Sequence, residues 1–286
     1  MIELFSAHLR AEIDESRGAS FRSLDWAEDG QSWKPVFAAE NQDNAHVFSS
    51  ASFPMLPFAN RARDNQLGSG AHKAKLRPNF TEPCAIHGTG WERPWTVTKS
   101  DAGSCELALD VNDEYPITFA AKMTIRLQES TAILALSVTN TAKVSLPFGL
   151  GLHPFFPHFP DTELAFSAQD FWVQGSDLLP KYSIKTPPEF DFETSRKLPA
   201  TALDNCYQGW ERECTIRQPQ LGYVLDMTAS EPLDHLMVFA PQNGRFAVEP
   251  QSHVSGNTDV DPLGLVLLES KQTLFAQVSF NLNPIH

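Results

Sequence analysis

The chain has 286 residues, of which 42% are hydrophobic and 20% charged, so it is long enough to bury a large core. Its formal net charge of −13 argues against nucleic acid and anionic membranes, because both would repel an acidic protein. A small molecule or another protein is therefore the expected partner.

Targeting signals and cysteine spacing bear on location. Residues 1–18 contain no apolar segment of the kind that a signal peptide needs. No run of about 18 apolar residues could form a transmembrane helix. The four cysteines contain no CxxC pair, and we expect them to be reduced thiols. The sequence therefore predicts a cytoplasmic protein that contacts no membrane.

Apolar and polar residues alternate with period two in four segments along the chain. The segments are residues 105–111, 123–127, 134–138 and 276–282, and turn-forming residues separate them. Each pattern predicts a β-strand with one buried face. Strands that follow one another without helices between them predict an all-β protein built as a large antiparallel β-sandwich.

Other segments give weaker structural signals. Residues 201–213 could contain one helical turn at most, and residues 181–200 lack periodicity, which predicts a long surface loop. No change in composition marks a linker, so we expect a single domain over residues 1–286.

One stretch departs from the acidic character of the chain. Residues 61–77 contain five basic residues and one acidic residue, a net charge of +4. This stretch has two interpretations, a solvated loop face or a local attraction for an anionic group of a ligand. The basic residues are Arg61, Arg63, Lys73, Lys75 and Arg77.

Several familiar kinds of chemistry lack their motifs. The sequence contains no glycine-rich nucleotide loop and no GxSxG elbow. His153 and His158 would lie on opposite faces of a strand, which makes them a poor metal pair, and Asp259 and Asp261 fit a turn. We therefore predict no metal and no cofactor, and the scattered histidine and acidic residues suit proton transfer without one.

Short stretches at wide spacing hold the remaining candidates for a functional site. "PFANRARDN" carries Asn60 and Arg61, "AIHGTGWERPW" carries His87, "GLGLHPFFP" carries His153, and "RFAVEPQSHVSGN" carries Glu249. A single histidine on a strand is more often structural than catalytic. Taken one at a time, these residues leave both interpretations open.

Together, and in this order, the stretches resemble the aldose 1-epimerase (mutarotase) family. The matches are "NR" at 60–61, "HG" at 87–88, "GLHPFF" at 151–156, "LDNCYQGW" at 203–210 and "VEP" at 248–250. Residues 12–24 are also similar to the first hairpin of the family, and the segment after Glu249 resembles its bacterial branch. The family pattern has Phe where Tyr207 stands. The resemblance implies a galactose-mutarotase-like supersandwich, a form of β-sandwich.

The resemblance also implies roles for individual residues. Glu249 would be the base at the anomeric hydroxyl, His153 the acid at the ring oxygen, and His87 a support for His153. Sugar-binding residues would be Arg61, Asp204, Asn60 and Trp91. A carboxylate such as Asp204 near His153 would favour the imidazolium that donates the proton.

Neighbouring residues have secondary roles in this interpretation. Phe155 and Phe156 would form walls of the site, and Pro154 would restrict the backbone beside His153. Trp91, Trp95 and Trp210 follow matched motifs, and each could be either a stacking platform for a sugar or part of the core.

Three functions stay open on the sequence alone. The first is a mutarotase for a neutral reducing aldose, and the second is a mutarotase for an anionic sugar such as a hexose 6-phosphate or a sulfonated hexose. The third is a carbohydrate-binding or regulatory protein without catalysis. In each case the partner is a small-molecule sugar, and the protein is a monomer or a homodimer.

Overall fold

The computed structural model describes residues 1–40, 46–68, 70–81, 83–113, 115–259, 261 and 263–285. Within these residues the regular structure consists of β-strands and short 3-10 turns, and no helix is long and apolar enough to cross a membrane. The strands are β1 Ile2–Phe5, β2 Leu9–Asp14, β3 Ser20–Trp26, β4 Lys34–Phe37, β5 Pro54–Met55, β6 Gln66–Leu67, β7 Ala74–Lys75, β8 Thr96–Ser100, β9 Ser104–Val111, β10 Phe119–Gln128, β11 Thr131–Asn140, β12 Leu146–Phe148, β13 Gly151–Leu152, β14 Phe155–Pro157, β15 Glu163–Ala165, β16 Asp170–Gln174, β17 Pro180–Ile184, β18 Arg196–Lys197, β19 Leu203–Gln208, β20 Glu213–Gln218, β21 Tyr223–Ala229, β22 His235–Ala240, β23 Arg245–Gln251, β24 Val266–Leu268 and β25 Thr273–Pro284. The 3-10 turns are Val47–Ser49, Arg63–Asn65, Gly70–His72, Gly90–Glu92, Pro188–Phe190 and Pro219–Leu221.

Two large antiparallel sheets dominate the fold. The nine-stranded sheet has the order β18-β15-β20-β21-β25-β11-β10-β9-β8, and the eight-stranded sheet has the order β17-β16-β19-β22-β23-β13-β5 with β14 also paired to β23. A four-stranded sheet, β1 to β4, and two two-stranded pairs complete the described architecture. The prediction of an all-β antiparallel sandwich is confirmed.

The four alternating segments are strands, as predicted. Residues 105–111, 123–127, 134–138 and 276–282 lie within β9, β10, β11 and β25 of the nine-stranded sheet. Every second side chain in each segment is buried in the main core. Burial of one such aliphatic side chain contributes about 1.5–3 kcal/mol to the stability of the sheet.

The sheets meet at a group of three phenylalanines. Phe37 of β4, Phe156 of β14 and Phe280 of β25 come from the three largest sheets, and all three are buried. Their ring centroids lie 5.0 to 6.4 Å apart, within the range of favourable aromatic pairs. Phe156 is therefore part of the core, and the expectation that it forms a wall of the site is wrong.

The structure corrects two further predictions. Within residues 201–213, for which the sequence predicts one helical turn at most, residues 203–208 form β19. This strand pairs with β22 on one side and β16 on the other. Residues 181–200 form a largely exposed segment that is not a plain loop, since β17 pairs with β16 and β18 pairs with β15. β17 and β18 are edge strands with mostly exposed side chains, so their sequences show little alternation, and the prediction of a loop over 181–200 missed them. The single domain over 1–286 stays a prediction.

Replacing one ring of the phenylalanine group tests the importance of the group. Phe280→Ala should lower the free energy of unfolding by about 3–5 kcal/mol, because it leaves a cavity between three sheets. Phe275→Ala is the matched control on the same strand, since Phe275 is 52% exposed; its effect should stay within about 0.5 kcal/mol. Urea unfolding of both variants measures the difference, and similar losses would contradict this account of the core.

Candidate functional site

Glu249 and Asp204 lie on one face of the eight-stranded sheet. In the antiparallel register Asp204 of β19 is opposite Phe239 of β22, and Phe239 is opposite Ala247 of β23. Opposed residues share a face, and so do residues two apart on one strand. Asp204, Phe239 and Glu249 therefore project from the same side of the sheet.

His153 faces Glu249 because it lies between two short strands, β13 and β14, that pair with β23 in the same register. Gly151 of β13 pairs with Gln251, and Phe155 of β14 pairs with Ala247, so the register between them sets His153 opposite Glu249. Pro154 has no N–H to continue the pairing. The His153 Nε2 atom lies 3.2 Å from Glu249 Oε1, and both side chains are buried.

Asn60 and His87 lock together two loops beside this pair. The His87 N–H donates to the Asn60 carbonyl at 2.9 Å, and the Asn60 N–H donates to His87 Nδ1 at 3.0 Å. Gly88 follows with φ of 68°, and a Cβ atom there would lie 1.8 Å from the Leu56 carbonyl oxygen. Only glycine fits this close approach, which accounts for the "HG" motif.

The hydrogen bond from Asn60 also fixes the tautomer of His87. A backbone N–H can only donate, so the Nδ1 atom must accept and the ring proton resides on Nε2. Burial lowers the pKa of His87 well below its usual 6.5, and the neighbouring His153 and Arg61 lower it further. His87 is thus a neutral N–H donor whose ring centroid lies 5.2 Å from that of His153.

These side chains surround a cavity of about 200 Å³. That volume is below the range typical of pockets for drug-sized ligands and suits one small polar molecule. The lining residues are Phe48, Asn60, Arg61, Phe80, Ile86, His87, His153, Phe155, Asp204, Phe239, Arg245 and Glu249. The cavity thus brings together six of the seven site residues named from the sequence.

The seventh, Trp91, lies behind the cavity wall. Its indole N–H donates to the Ile86 carbonyl at 3.1 Å, and its ring packs 4.7 Å from Phe48. Phe48 and Phe80, with ring centroids 4.4 Å apart, form one aromatic wall of the cavity, and Phe155 lines it as expected. Trp91 is a support for that wall, and Trp95 and Trp210 are buried in the main core.

Burial determines the protonation of His153. Its ring lies between Phe53 and Phe155, with centroid distances of 4.7 and 4.5 Å. Burial in this apolar setting and, to a smaller extent, the charge of Arg245 lower the pKa of His153 from 6.5 to about 3. The expectation that Asp204 would favour the imidazolium is wrong, because desolvation is stronger and Asp204 pairs instead with Arg61, with 4.0 Å between Oδ2 and Nη1.

The pKa of Glu249 moves the opposite way. Burial raises it well above its usual 4.5, and the nearby Asp204 charge raises it further. The His153–Glu249 pair therefore holds one proton, and that proton resides on the carboxyl group. Two neutral groups avoid the cost of burying two charges.

Arg245 is a site residue that sequence reasoning missed. Its guanidinium carbon lies 3.8 Å from the centroid of the Phe155 ring, Nη2 donates to the Phe48 carbonyl at 2.9 Å, and Nη2 lies 3.4 Å from Glu40 Oε2. Arg245 is four residues before Glu249 on the same strand, and period-two counting back from Glu249 would have found it.

The basic stretch does not gather around this cavity. Of its five basic residues only Arg61 lines the cavity. Arg63 lines a separate cavity with Trp172 and Lys181, whereas Lys75 and Arg77 line a third with Asp113.

Comparison with known proteins agrees with this geometry. The family model of aldose 1-epimerase matches residues 22–281. The uncharacterized protein YphB of Escherichia coli K12 is 30% identical over 215 residues, which are 71% of this chain and 73% of YphB.

Solved structures show the same fold. An E. coli K12 protein provisionally assigned as an aldose 1-epimerase is 24% identical, with a TM-score of 0.91 and coverage of 99% of this chain and 98% of that one. A GalM/aldose epimerase homologue from C. elegans is 17% identical, with a TM-score of 0.85 and coverage of 100% and 99%. A galactose mutarotase-like protein from Clostridium acetobutylicum is 16% identical, with a TM-score of 0.86 and coverage of 99% and 95%.

The loop that carries Asn60 and Arg61 depends on a buried histidine, and acid should weaken it. Nε2 of His253 accepts from the Ala59 N–H at 3.0 Å, so the ring proton is on Nδ1, 3.0 Å from the Val254 carbonyl. Burial lowers the pKa of His253 from 6.5 to about 4. The stability from this neutral ring is present above pH 6.5 and is lost as the pH falls through the folded-state pKa.

Replacement of His253 should therefore flatten the acid side of the stability curve. Between pH 6.5 and 4 the free energy of unfolding of His253→Gln should fall less steeply than that of the wild type, by up to about 1.4 kcal/mol per pH unit. Urea unfolding at a series of pH values gives the slopes. His72→Gln, at a partly exposed histidine, is the control and should keep the wild-type slope.

Proposed function

The chain belongs to the aldose 1-epimerase family of isomerases, and we propose that it interconverts the α and β anomers of a neutral reducing aldose. The observation that carries the proposal is the His153–Glu249 contact of 3.2 Å at a cavity suited to one small polar ligand. An acid and a base on neighbouring walls of one cavity are the groups that ring opening and closure require.

In the proposed reaction two protons move in each direction. Glu249 Oε1 accepts the proton of the anomeric hydroxyl, the bond between the anomeric carbon and the ring oxygen breaks, and His153 Nε2 gives a proton to that oxygen. The new carbonyl rotates, and the ring closes on its other face while both protons return. No covalent intermediate with the protein is formed.

The single proton of the pair is sufficient for this cycle. Ring opening starts from charged Glu249 and charged His153, whereas burial favours the two neutral forms. Both states contain the same number of protons, so a transfer across 3.2 Å converts one into the other. Sugar hydroxyls that hydrogen-bond to both charged groups favour the ionic state after binding.

The other lining residues would hold the sugar. His87 offers its Nε2–H toward the region of His153, and the Arg61–Asp204 pair offers donors and acceptors to hydroxyl groups. Phe48 and Phe80 give an apolar wall suited to the C–H face of a pyranose. Each role follows from the chemistry of a side chain that lines the cavity.

The charges around the cavity favour a neutral sugar over an anionic one. Two arginines line it, but Arg61 lies 4.0 Å from Asp204 and Arg245 lies 3.4 Å from Glu40. Arg63, Lys75 and Arg77, which suggested an anionic substrate, line other cavities. A sulfonate or phosphate would therefore have to compete with carboxylates for its partners.

Loss of either group of the pair should abolish most of the activity. Glu249→Gln and His153→Asn should each lower kcat for anomer exchange by about 10²–10⁴-fold, because each removes one proton-transfer group. Saturation-transfer NMR or polarimetry with glucose and galactose measures the rate, and the 6-phosphates of both sugars test the anionic alternative. Glu213→Gln, at an exposed carboxylate, should leave the rate unchanged.

The outcomes of this assay separate the three functions. No acceleration by the wild type with any reducing sugar would leave a non-catalytic carbohydrate-binding protein. Faster exchange of the 6-phosphates than of the neutral sugars would favour the anionic substrate. Full activity of both pair variants would refute the roles assigned to His153 and Glu249.

The pH profile should follow the proton count of the pair. The pair works with one proton, so activity should fall at low pH as His153 gains a second proton, with a folded-state pKa of about 3. It should also fall at high pH, as the proton is lost through the raised pKa of Glu249. The wild-type profile of kcat/KM measures both limbs, and activity that rises steeply from pH 4 to 7 would contradict this count.

A further inference from the structure

The two oxygen atoms of Glu249 have different surroundings. Oε1 faces His153 Nε2 at 3.2 Å, whereas Oε2 accepts a hydrogen bond from Gln251 Nε2 at 3.1 Å. Gln251 is two residues further along β23, so its side chain projects from the same face as Glu249. Gln251 is fully buried, and its amide group meets the carboxyl group away from water.

A second hydrogen bond holds the amide group of Gln251. The Ser255 hydroxyl, which is also buried, donates to Gln251 Oε1 at 3.1 Å. With the amide oxygen engaged by Ser255, the amide N–H group faces the carboxyl group, and only this side of the amide can donate a hydrogen bond to an ionised oxygen. The chain of contacts from Ser255 through Gln251 to Glu249 thus orients a donor at one oxygen and leaves the other for the ligand.

We infer that Gln251, held by Ser255, is a positioning residue that assigns Oε1 of Glu249 to proton transfer and stabilises the carboxylate during the reaction. The inference rests on the proposed function, since it names the residue that prepares the base for that reaction. Gln251 lies outside the cavity lining and acts through Glu249.

The electrostatics of the site agree with this role. Burial and the Asp204 charge raise the pKa of Glu249, and the hydrogen bond from Gln251 opposes them. Loss of that bond should therefore raise the pKa further and hold the shared proton more firmly on the carboxyl group. The base would then be less available at neutral pH, and the high-pH limb of activity would move to higher pH.

Gln251→Leu tests the inference, because leucine keeps much of the volume and removes the amide group. We expect kcat for anomer exchange to fall about 10- to 100-fold, as for loss of a hydrogen bond to a charged group, with KM nearly unchanged. The pH at which kcat/KM falls on the alkaline side should increase by on the order of one pH unit. Gln251→Glu, which sets a second carboxyl group beside Glu249, should shift the limb in the same direction and further.

The matched control is Gln218→Leu. Gln218 is also fully buried, donates to the Pro157 carbonyl at 2.6 Å and accepts from the Thr162 hydroxyl at 2.7 Å, but it lies outside the cavity lining. This variant should lose stability without moving the pH limb. If kcat of Gln251→Leu falls but its kcat/KM decreases at the same alkaline pH as in the wild type and in Gln218→Leu, the positioning role is wrong.

An NMR titration tests the inference independently of activity. Carbon-13 labelling of glutamate carboxyl groups, with Glu249→Gln to assign the signal, reports the protonation of Glu249 directly. The Glu249 midpoint should lie at higher pH in Gln251→Leu than in the wild type, and Ser255→Ala should shift it by a smaller amount. If the wild type fails to exchange anomers, the proposed function falls but this titration still applies; an unchanged midpoint in both variants would overturn the inference.

Discussion

The broken pairing along β23 is the constraint on which the rest of the site depends. β13 and β14 both pair with this strand, and the single register that runs through them sets His153 opposite Glu249. A one-residue slip would move a side chain to the other face of the sheet. Gly151 and Ala247 lie in the flanking pairs, and a Cβ atom at Gly151 would lie 2.8 Å from the Met55 side chain. Packing against these small residues therefore fixes the register that sets His153 against Glu249.

The apolar surroundings of this contact determine its resting state. In water a carboxylate and an imidazolium 3.2 Å apart would attract each other, but here the cost of removing two charges from water is larger. The same burial lowers the pKa of His153 and raises that of Glu249, so one proton satisfies both groups. In the proposed reaction, a ligand with many hydroxyl groups would supply hydrogen bonds to both groups and favour their charged forms.

The sequence predicted four long strands of the nine-stranded sheet and most of the residues around the cavity, but not which residues contact one another. Alternation found β9, β10, β11 and β25 because each of these strands has one buried face. It failed for β19, which has neighbouring strands on both sides and mixed burial along its length. Motif order identified His153 and Glu249, but their mutual contact depends on register.

Other features of the site escaped prediction because they depend on burial or on distant loops. Trp91 follows a matched motif, yet Phe48, a residue outside every motif, covers it from the cavity. The charge of +4 between residues 61 and 77 was visible in the sequence, but the fold distributes four of the five basic side chains among three cavities. Charge counts along the chain cannot show that distribution, because this segment contains two 3-10 turns that change the direction of the chain.

Three buried histidines show why residue type alone cannot assign a role here. Burial lowers the pKa of each, so all three are neutral near pH 7, and they differ in what the ring nitrogens meet. Nδ1 of His87 accepts a hydrogen bond from a backbone N–H, so its Nε2–H is available to the cavity. Nε2 of His253 accepts from a backbone N–H instead, so this ring supports a loop. Nε2 of His153 meets a carboxyl group that can exchange a proton with it. Backbone geometry thus gives one residue type three settings: a donor toward the cavity, a structural support, and a partner for a buried carboxyl group.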